Sequence, residues 1–172
     1  SGAMVFPGGV LEPADRHAHR WCLGAGDAEM SRRLHLPEGG LDYAVAALRE
    51  AFEEVGLLLA CDAEGAAVDL AAQADSLHDW RARLQRGEAS VAALCEALDW
   101  RLDVRGLAYH SHWLTPPGSP KRFDTRFFMA LAPHGQHAVA DRGEAQELMW
   151  VTPRRALDDD ELKLLPVTRR QL

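Results

Sequence analysis

The chain has 172 residues, a length that fits one domain and not two. Apolar residues make up 47% of it and charged residues 26%, a composition that supports a packed core and excludes a disordered chain. The 26 acidic residues outnumber the 19 Lys and Arg residues, for a formal net charge of -7. This balance argues against a protein that binds DNA or RNA through a basic surface.

The cysteines and the apolar runs predict a cytoplasmic protein. The three cysteines are odd in number and widely spaced. This pattern suits free thiols in a reducing compartment, and neither a disulfide framework nor a zinc site. No signal peptide is expected, and the apolar runs are too short to cross a bilayer. We therefore expect no membrane partner, and the preference for Arg over Lys is typical of a bacterial, GC-rich source.

The first third of the chain contains one strong helix signal. Residues 1–11 suggest a short apolar strand that breaks at 7–9, and 12–41, with their prolines and glycines, predict a long loop. Asp42 is placed to cap a helix that Gly56 closes. One face of this helix carries four apolar side chains, those of Val45, Leu48, Phe52 and Val55.

The rest of the chain predicts a mixture of helices and strands. A strand-like apolar run follows the first helix over 57–59. Helices are predicted from Asp75 or Ser76 to Gly87, over 88–100 and from Pro153 to about 157. Strands are predicted over 106–115, 122–132 and 147–152. The pattern indicates one mixed α/β domain over 1–172.

A concentration of acid on the first helix points to a metal site. At 100° per residue, Glu50, Glu53 and Glu54 share one flank, opposite the apolar face. Three carboxylates this close repel one another, and Arg49 offsets only part of the repulsion. Such a group of hard oxygen ligands suits Mg²⁺ or Mn²⁺. The alternative is a solvated acidic helix face with no ligand.

The stretch from Arg49 to Leu57 resembles the second half of the Nudix box, G-x5-E-x7-R-E-U-x-E-E-x-G-U, where U is a bulky apolar residue. The first half of the box matches at Gly9, with Asp15 where the family has Glu. The box is therefore split by an insertion at about 16–41. The resemblance implies a mixed β-sheet sandwiched between α-helices, here with an extra helical segment and without the usual strand before the Gly-Gly loop.

A split box after an FPGGVLEPAD segment is similar to the peroxisomal-type acyl-CoA diphosphatase branch of the Nudix hydrolases. The resemblance implies hydrolysis of the diphosphate in a nucleoside diphosphate linked to another group. The expected substrate is CoA or acyl-CoA, and the products are 3′,5′-ADP and (acyl-)phosphopantetheine. Other Nudix substrates, such as ADP-ribose, NADH or a nucleotide sugar, stay open, as does a catalytically silent nucleotide sensor. A homodimer is expected by analogy.

The resemblance also implies roles for individual residues. The metal ligands would be three glutamates and one backbone carbonyl, from Glu50, Glu53, Glu54 and Gly9, and Arg49 would orient the glutamates. The general base would be Glu53, or else Glu144 or Glu147. The substrate phosphates would meet Arg122 or Arg126, with Arg16, Arg20, Arg32 and Arg33 as alternatives; for Arg126, an ion pair with Asp124 is equally compatible with the sequence.

Overall fold

A small mixed sheet lies at the centre of the computed structural model, which describes residues 2–140 and 147–172. Its strands are β1 (Cys22–Leu23), β2 (Ala60–Cys61) and β3 (Arg101–Asp103), in the order β1-β3-β2. Strand β3 runs parallel to β1 and antiparallel to β2. A second, two-stranded antiparallel sheet joins β4 (Ala108–Leu114) to β5 (Asp124–Met129). The helices are α1 (Asp27–Arg33), α2 (Gly40–Val55), α3 (Ala74–Gln85), α4 (Val91–Leu98), α5 (Pro153–Asp158) and α6 (Pro166–Arg169).

Helix α2 is the predicted acidic helix, and it begins two residues earlier than expected. Asp42 does not cap it, because its carboxylate accepts a 2.8 Å hydrogen bond from Arg16 and lies 2.7 Å from the imidazole of His19. The C-terminal end is as predicted, since Gly56 closes the helix in the left-handed region at φ 72°. The predicted apolar face is buried in the core.

The prediction of a long loop over 12–41 was wrong. The segment folds as a 3-10 helix (Pro13–Trp21), the strand β1 and helix α1. The prolines and glycines mark the junctions between these short elements. Three apolar side chains, those of Ala18, Met30 and Leu34, are almost fully buried in the core, and their burial stabilises the ordered segment.

Most of the later elements follow the predictions. The two strands of the hairpin and helix α4 occur with shorter bounds than predicted. Helix α3 begins one residue earlier than predicted, at Ala74, and ends earlier, while α5 extends one residue further, to Asp158.

The strand-like run predicted over 57–59 was wrong, because the strand begins only at Ala60 and the backbone of Leu58 bonds to the side chain of Gln136 instead. The strand predicted over 147–152 was wrong, because this segment has no strand structure. Its large apolar side chains are exposed, Trp150 to 71%, so burial does not stabilise a strand there. The strand predicted at the N-terminus is reduced to one bridge from Met4 to Leu164.

All three cysteines are free thiols, and burial raises the pKa of both Cys22 and Cys95 to about 12. Within the described ranges, the helices are too short or too polar to cross a membrane.

Helices α1 and α2 meet at a close backbone contact. The amide of Gly40 donates a 2.8 Å hydrogen bond to the hydroxyl of Ser31. A Cβ atom on Gly40 would lie 2.3 Å from the backbone nitrogen of Ser31 and 2.6 Å from the carbonyl carbon of Met30. These are backbone atoms that cannot rotate away, so only glycine allows this approach.

We expect Gly40→Ala to destabilise the protein by about 1–3 kcal/mol, because α1 must shift away from α2. Urea unfolding followed by circular dichroism measures the effect. Gly106→Ala is the matched control, since a Cβ there meets nothing within 4 Å. Equal stability of the two variants would show that the close approach at Gly40 is not a constraint on the fold.

Candidate active site

A buried ion pair joins the two halves of the Nudix-like box. Nε of Arg49 donates a 2.8 Å hydrogen bond to Oδ1 of Asp15, and the two residues are 34 positions apart in the chain. The side chain of Asp15 is fully buried and that of Arg49 is 4% exposed. Asp15 also accepts a 2.8 Å bond from the backbone amide of Glu12, which fixes its orientation at the start of the 3-10 helix. The acidic position before the insertion therefore contacts the arginine after it.

The same guanidinium contacts two of the three predicted metal ligands. Nη1 of Arg49 donates a 2.8 Å hydrogen bond to Glu50 and a 3.4 Å bond to Glu53, while Nη2 binds the carbonyl of Val10 at 2.9 Å. Burial alone would lower the pKa of Arg49, but the bond and charge of Asp15, with Glu50, outweigh it and raise the pKa. Arg49 therefore stays charged and positions the carboxylates.

The Gly-Gly loop lies directly against these glutamates. The backbone amide of Gly8 donates a 3.2 Å hydrogen bond to Glu54. A Cβ atom on Gly9 would lie 2.1 Å from Oε1 of Glu50, so the loop and the carboxylate share a space that a side chain would fill. The structure thus brings Gly9 to the acidic flank of α2, where the sequence placed it.

Glu53 differs electrostatically from an ordinary surface glutamate. Burial raises the pKa of its carboxyl above the usual value, Glu50 adds to the rise, and the charge of Arg49 opposes it. The side chain is 16% exposed, so water still reaches it. A partly exposed carboxylate of raised pKa is compatible with the general-base role predicted for Glu53.

The donors suit a divalent cation, although the side chains as placed do not yet surround one. Carboxylate oxygens beside a backbone loop are the hard ligands that Mg²⁺ and Mn²⁺ take. In this conformation Glu50 and Glu53 point to Arg49, whereas Glu54 points to the amide of Gly8. Accordingly, residues 2–140 and 147–172 contain no group of three or more acidic, histidine or cysteine side chains arranged to hold a metal.

The other residues predicted to act as base or to bind substrate lie on several segments of the chain. Glu144 lies outside the described residues, and Glu147 is exposed. Arg122 donates a 2.9 Å hydrogen bond to the carbonyl of Thr115 in the hairpin.

Arg126 forms the ion pair with Asp124 that was one of its two interpretations from the sequence. Its side chain is only 5% exposed, and Nη1 donates a 2.6 Å hydrogen bond to Asp124. The guanidinium also lies 4.3 Å from the ring centroid of Tyr43 on α2. Tyr43 is two helical turns before Glu50 on the same helix face, about 10 Å along the axis. Arg126 therefore lies beside the helix face that carries Glu50, while its contact with a substrate phosphate stays a prediction.

Sequence reasoning missed Arg81 on α3. Its guanidinium binds the backbone carbonyls of Glu53 and Glu54 at 2.9 and 2.8 Å. One signal could have suggested such a partner: the last turn of α2 has no basic residue of its own, although a helix C-terminus favours a positive charge.

Comparison with known proteins identifies the family. The family model described as the NUDT19 Nudix domain matches residues 22–167. The chain belongs to this family. Gly9 and Asp15 lie before the start of this match. The evidence that they contact the matched domain is therefore the structure and not the family model.

The Nudix relatives include two vertebrate enzymes. Human acyl-coenzyme A diphosphatase NUDT19 is 32% identical over 195 residues, an alignment that covers 91% of this chain and 51% of the human protein. Chicken acyl-coenzyme A diphosphatase NUDT19 is 30% identical, again over 91% of this chain and 51% of the relative. The chain therefore spans about half the length of the curated relatives it matches.

A solved structure agrees on the fold. The crystal structure of a NUDIX hydrolase from Alicyclobacillus acidocaldarius superposes with a TM-score of 0.75 at 28% identity. The superposition covers 98% of this chain and 73% of that chain. The Nudix fold and the branch predicted from the split box are confirmed.

We expect Asp15→Ala to lower the free energy of unfolding by about 3–5 kcal/mol, since it leaves the buried Arg49 without its main partner. Urea unfolding measures this loss. Glu88→Gln is the control, because it breaks an exposed pair with Arg86 and is expected to leave stability unchanged. A loss from Asp15→Ala no larger than that of the control would contradict a structural role for the buried pair.

Proposed function

We propose that this Nudix protein is a divalent-metal-dependent diphosphatase that hydrolyses CoA or acyl-CoA to 3′,5′-ADP and (acyl-)phosphopantetheine. The observation that carries the proposal is the assembly of Arg49, Glu50 and Glu53 against the Gly-Gly loop. The names of the vertebrate relatives support the substrate.

The ligands of the metal would be Glu50, Glu53, Glu54 and the carbonyl of Gly9. When bound, Mg²⁺ or Mn²⁺ neutralises the charge of the diphosphate and acidifies a water molecule. Arg49 has a separate role, since its guanidinium is already bound to Asp15 and two glutamates. It fixes the carboxylates and does not bind substrate.

Glu53 is the first candidate for the base that takes a proton from the attacking water. Its raised pKa and partial exposure support this role. Glu147, which is exposed, is the second candidate for the base among the residues that the structure describes. For the anionic substrate, Arg122 and Arg126 of the hairpin are the proposed cations, and Arg126 lies on the helix face that carries Glu50.

The substrate assignment is tested by an activity screen with Mg²⁺ or Mn²⁺ on CoA, several acyl-CoAs, NADH and ADP-ribose, with products separated by chromatography. We expect 3′,5′-ADP from CoA or acyl-CoA, and no turnover when a chelator removes the metal. AMP from ADP-ribose without cleavage of CoA would assign a different Nudix substrate. Binding without turnover on every compound would indicate a sensor.

The assignment of the metal ligands to α2 is tested by the substitutions Glu53→Gln and Glu54→Gln. We expect both to abolish turnover while the fold is kept, because neither side chain belongs to the core. For Glu53, loss of the base alone corresponds to a roughly 10²–10⁴-fold fall in kcat. Glu96→Gln, an exposed glutamate on α4, is the control. Activity that survives in both variants would rule out these glutamates as the metal site.

A further inference from the structure

The C-terminal end of helix α2 depends on another helix for its hydrogen bonds. The last four carbonyls of an α-helix have no partner within the helix. Here the carbonyl of Glu53 accepts a 2.9 Å hydrogen bond from Nε of Arg81, and the carbonyl of Glu54 accepts a 2.8 Å bond from Nη2. Gln85, one turn later on α3, also donates to Glu53. Helix α3 therefore satisfies the backbone of the two residues that carry the proposed metal ligands.

The same arginine binds a third segment of the chain. Nη2 of Arg81 donates a 2.8 Å hydrogen bond to the carbonyl of Val139, and the amide of Val139 donates a 2.9 Å bond to Val55. Nε2 of Gln136 donates a 2.8 Å hydrogen bond to the carbonyl of Leu58, and Oε1 of Gln136 accepts a 2.9 Å bond from the amide of Leu58. One guanidinium thus connects α3, the end of α2 and the segment around Val139.

The contact between Arg81 and the C-terminal end of α2 is also electrostatically favourable. The C-terminus of a helix carries a partial negative charge, which disfavours acidic side chains in the last turns. Helix α2 places Glu50, Glu53 and Glu54 there and has no basic residue in its last turn. Arg49 is bound to Asp15 on the other side of the site. Arg81 brings a positive charge to the negative end of the helix.

The guanidinium of Arg81 lies close to the glycine that ends the helix. A Cβ atom on Gly56 would lie 3.1 Å from Nη1 of Arg81. The φ of 72° at this position also favours glycine. Gly56 therefore ends the helix and also allows the close approach of Arg81.

From these contacts we infer that Arg81 is a positioning residue of the active site, one that fixes the backbone of Glu53 and Glu54 and so the direction of their carboxylates. The inference rests on the proposed function. A planar guanidinium can donate to several carbonyls at once, whereas the ammonium of lysine is a single charged point. A lysine at position 81 should therefore restore only part of the function of Arg81.

The test compares Arg81→Ala and Arg81→Lys with Arg86→Ala, a control at the end of the same helix whose arginine pairs with exposed Glu88. kcat and KM are measured on the substrate identified for the parent protein. Mn²⁺ affinity is measured separately by electron paramagnetic resonance, and hydrogen exchange is followed at the amides of Gly56 and Leu57.

We expect Arg81→Ala to lower kcat and Mn²⁺ affinity by roughly 10–100-fold, the usual cost of losing a group that orients metal ligands. KM should change little, because Arg81 binds backbone carbonyls and not substrate. Arg81→Lys should recover part of the loss, guanidinium ion added to Arg81→Ala should restore some activity, and Arg86→Ala should match the parent protein.

The inference is overturned if folded Arg81→Ala keeps the parent kcat, Mn²⁺ affinity and amide protection. If Arg81→Ala does not fold, the same three quantities are compared between Arg81→Lys and the parent protein. Equal values would overturn the inference that a guanidinium is needed at this position. A parent protein without turnover contradicts the proposed function only. Amide protection at Gly56 and Leu57 then still decides whether Arg81 fixes the end of α2.

Discussion

The buried contact between Asp15 and Arg49 is the interaction on which the candidate site depends. A carboxylate removed from water needs a charged or hydrogen-bonding partner, and Arg49 is the partner that the fold provides. Because this guanidinium also binds Glu50 and Glu53, its position decides where those carboxylates lie. The packing of the start of the 3-10 helix, which carries Asp15, against α2 is therefore a condition for the site, although Asp15 is not itself a predicted metal ligand.

Part of the site could be predicted because its geometry is local. Helical periodicity alone places Glu50, Glu53 and Glu54 on one flank of α2 and its apolar residues on the other. Gly9 and Asp15 required the family resemblance, since no local rule connects residues on opposite sides of an insertion. The contacts of Arg81 could not be predicted, because backbone carbonyls are acceptors in every sequence and the partner is 27 and 28 residues away.

The fold was predictable to a similar extent. Glycine at the end of α2, and proline at the start of α5, have local conformational preferences that hold in the structure. The segment over 12–41 was misjudged because its elements are too short for a visible period, and their order comes from burial of Ala18, Met30 and Leu34. Residues 147–152 have a strand-like composition, but strand formation needs a neighbour that composition does not reveal.

The contact between Gly40 and Ser31 limits how the chain can change in length. A surface loop usually gains or loses residues at small entropic cost. Here the backbones of two helices touch on either side of the turn, and Asp27 accepts hydrogen bonds from the amides of Gly39 and Leu41. Adding or removing one residue between 31 and 40 would break these contacts together. We therefore expect a change in length to be less costly over 62–73, where most residues are exposed.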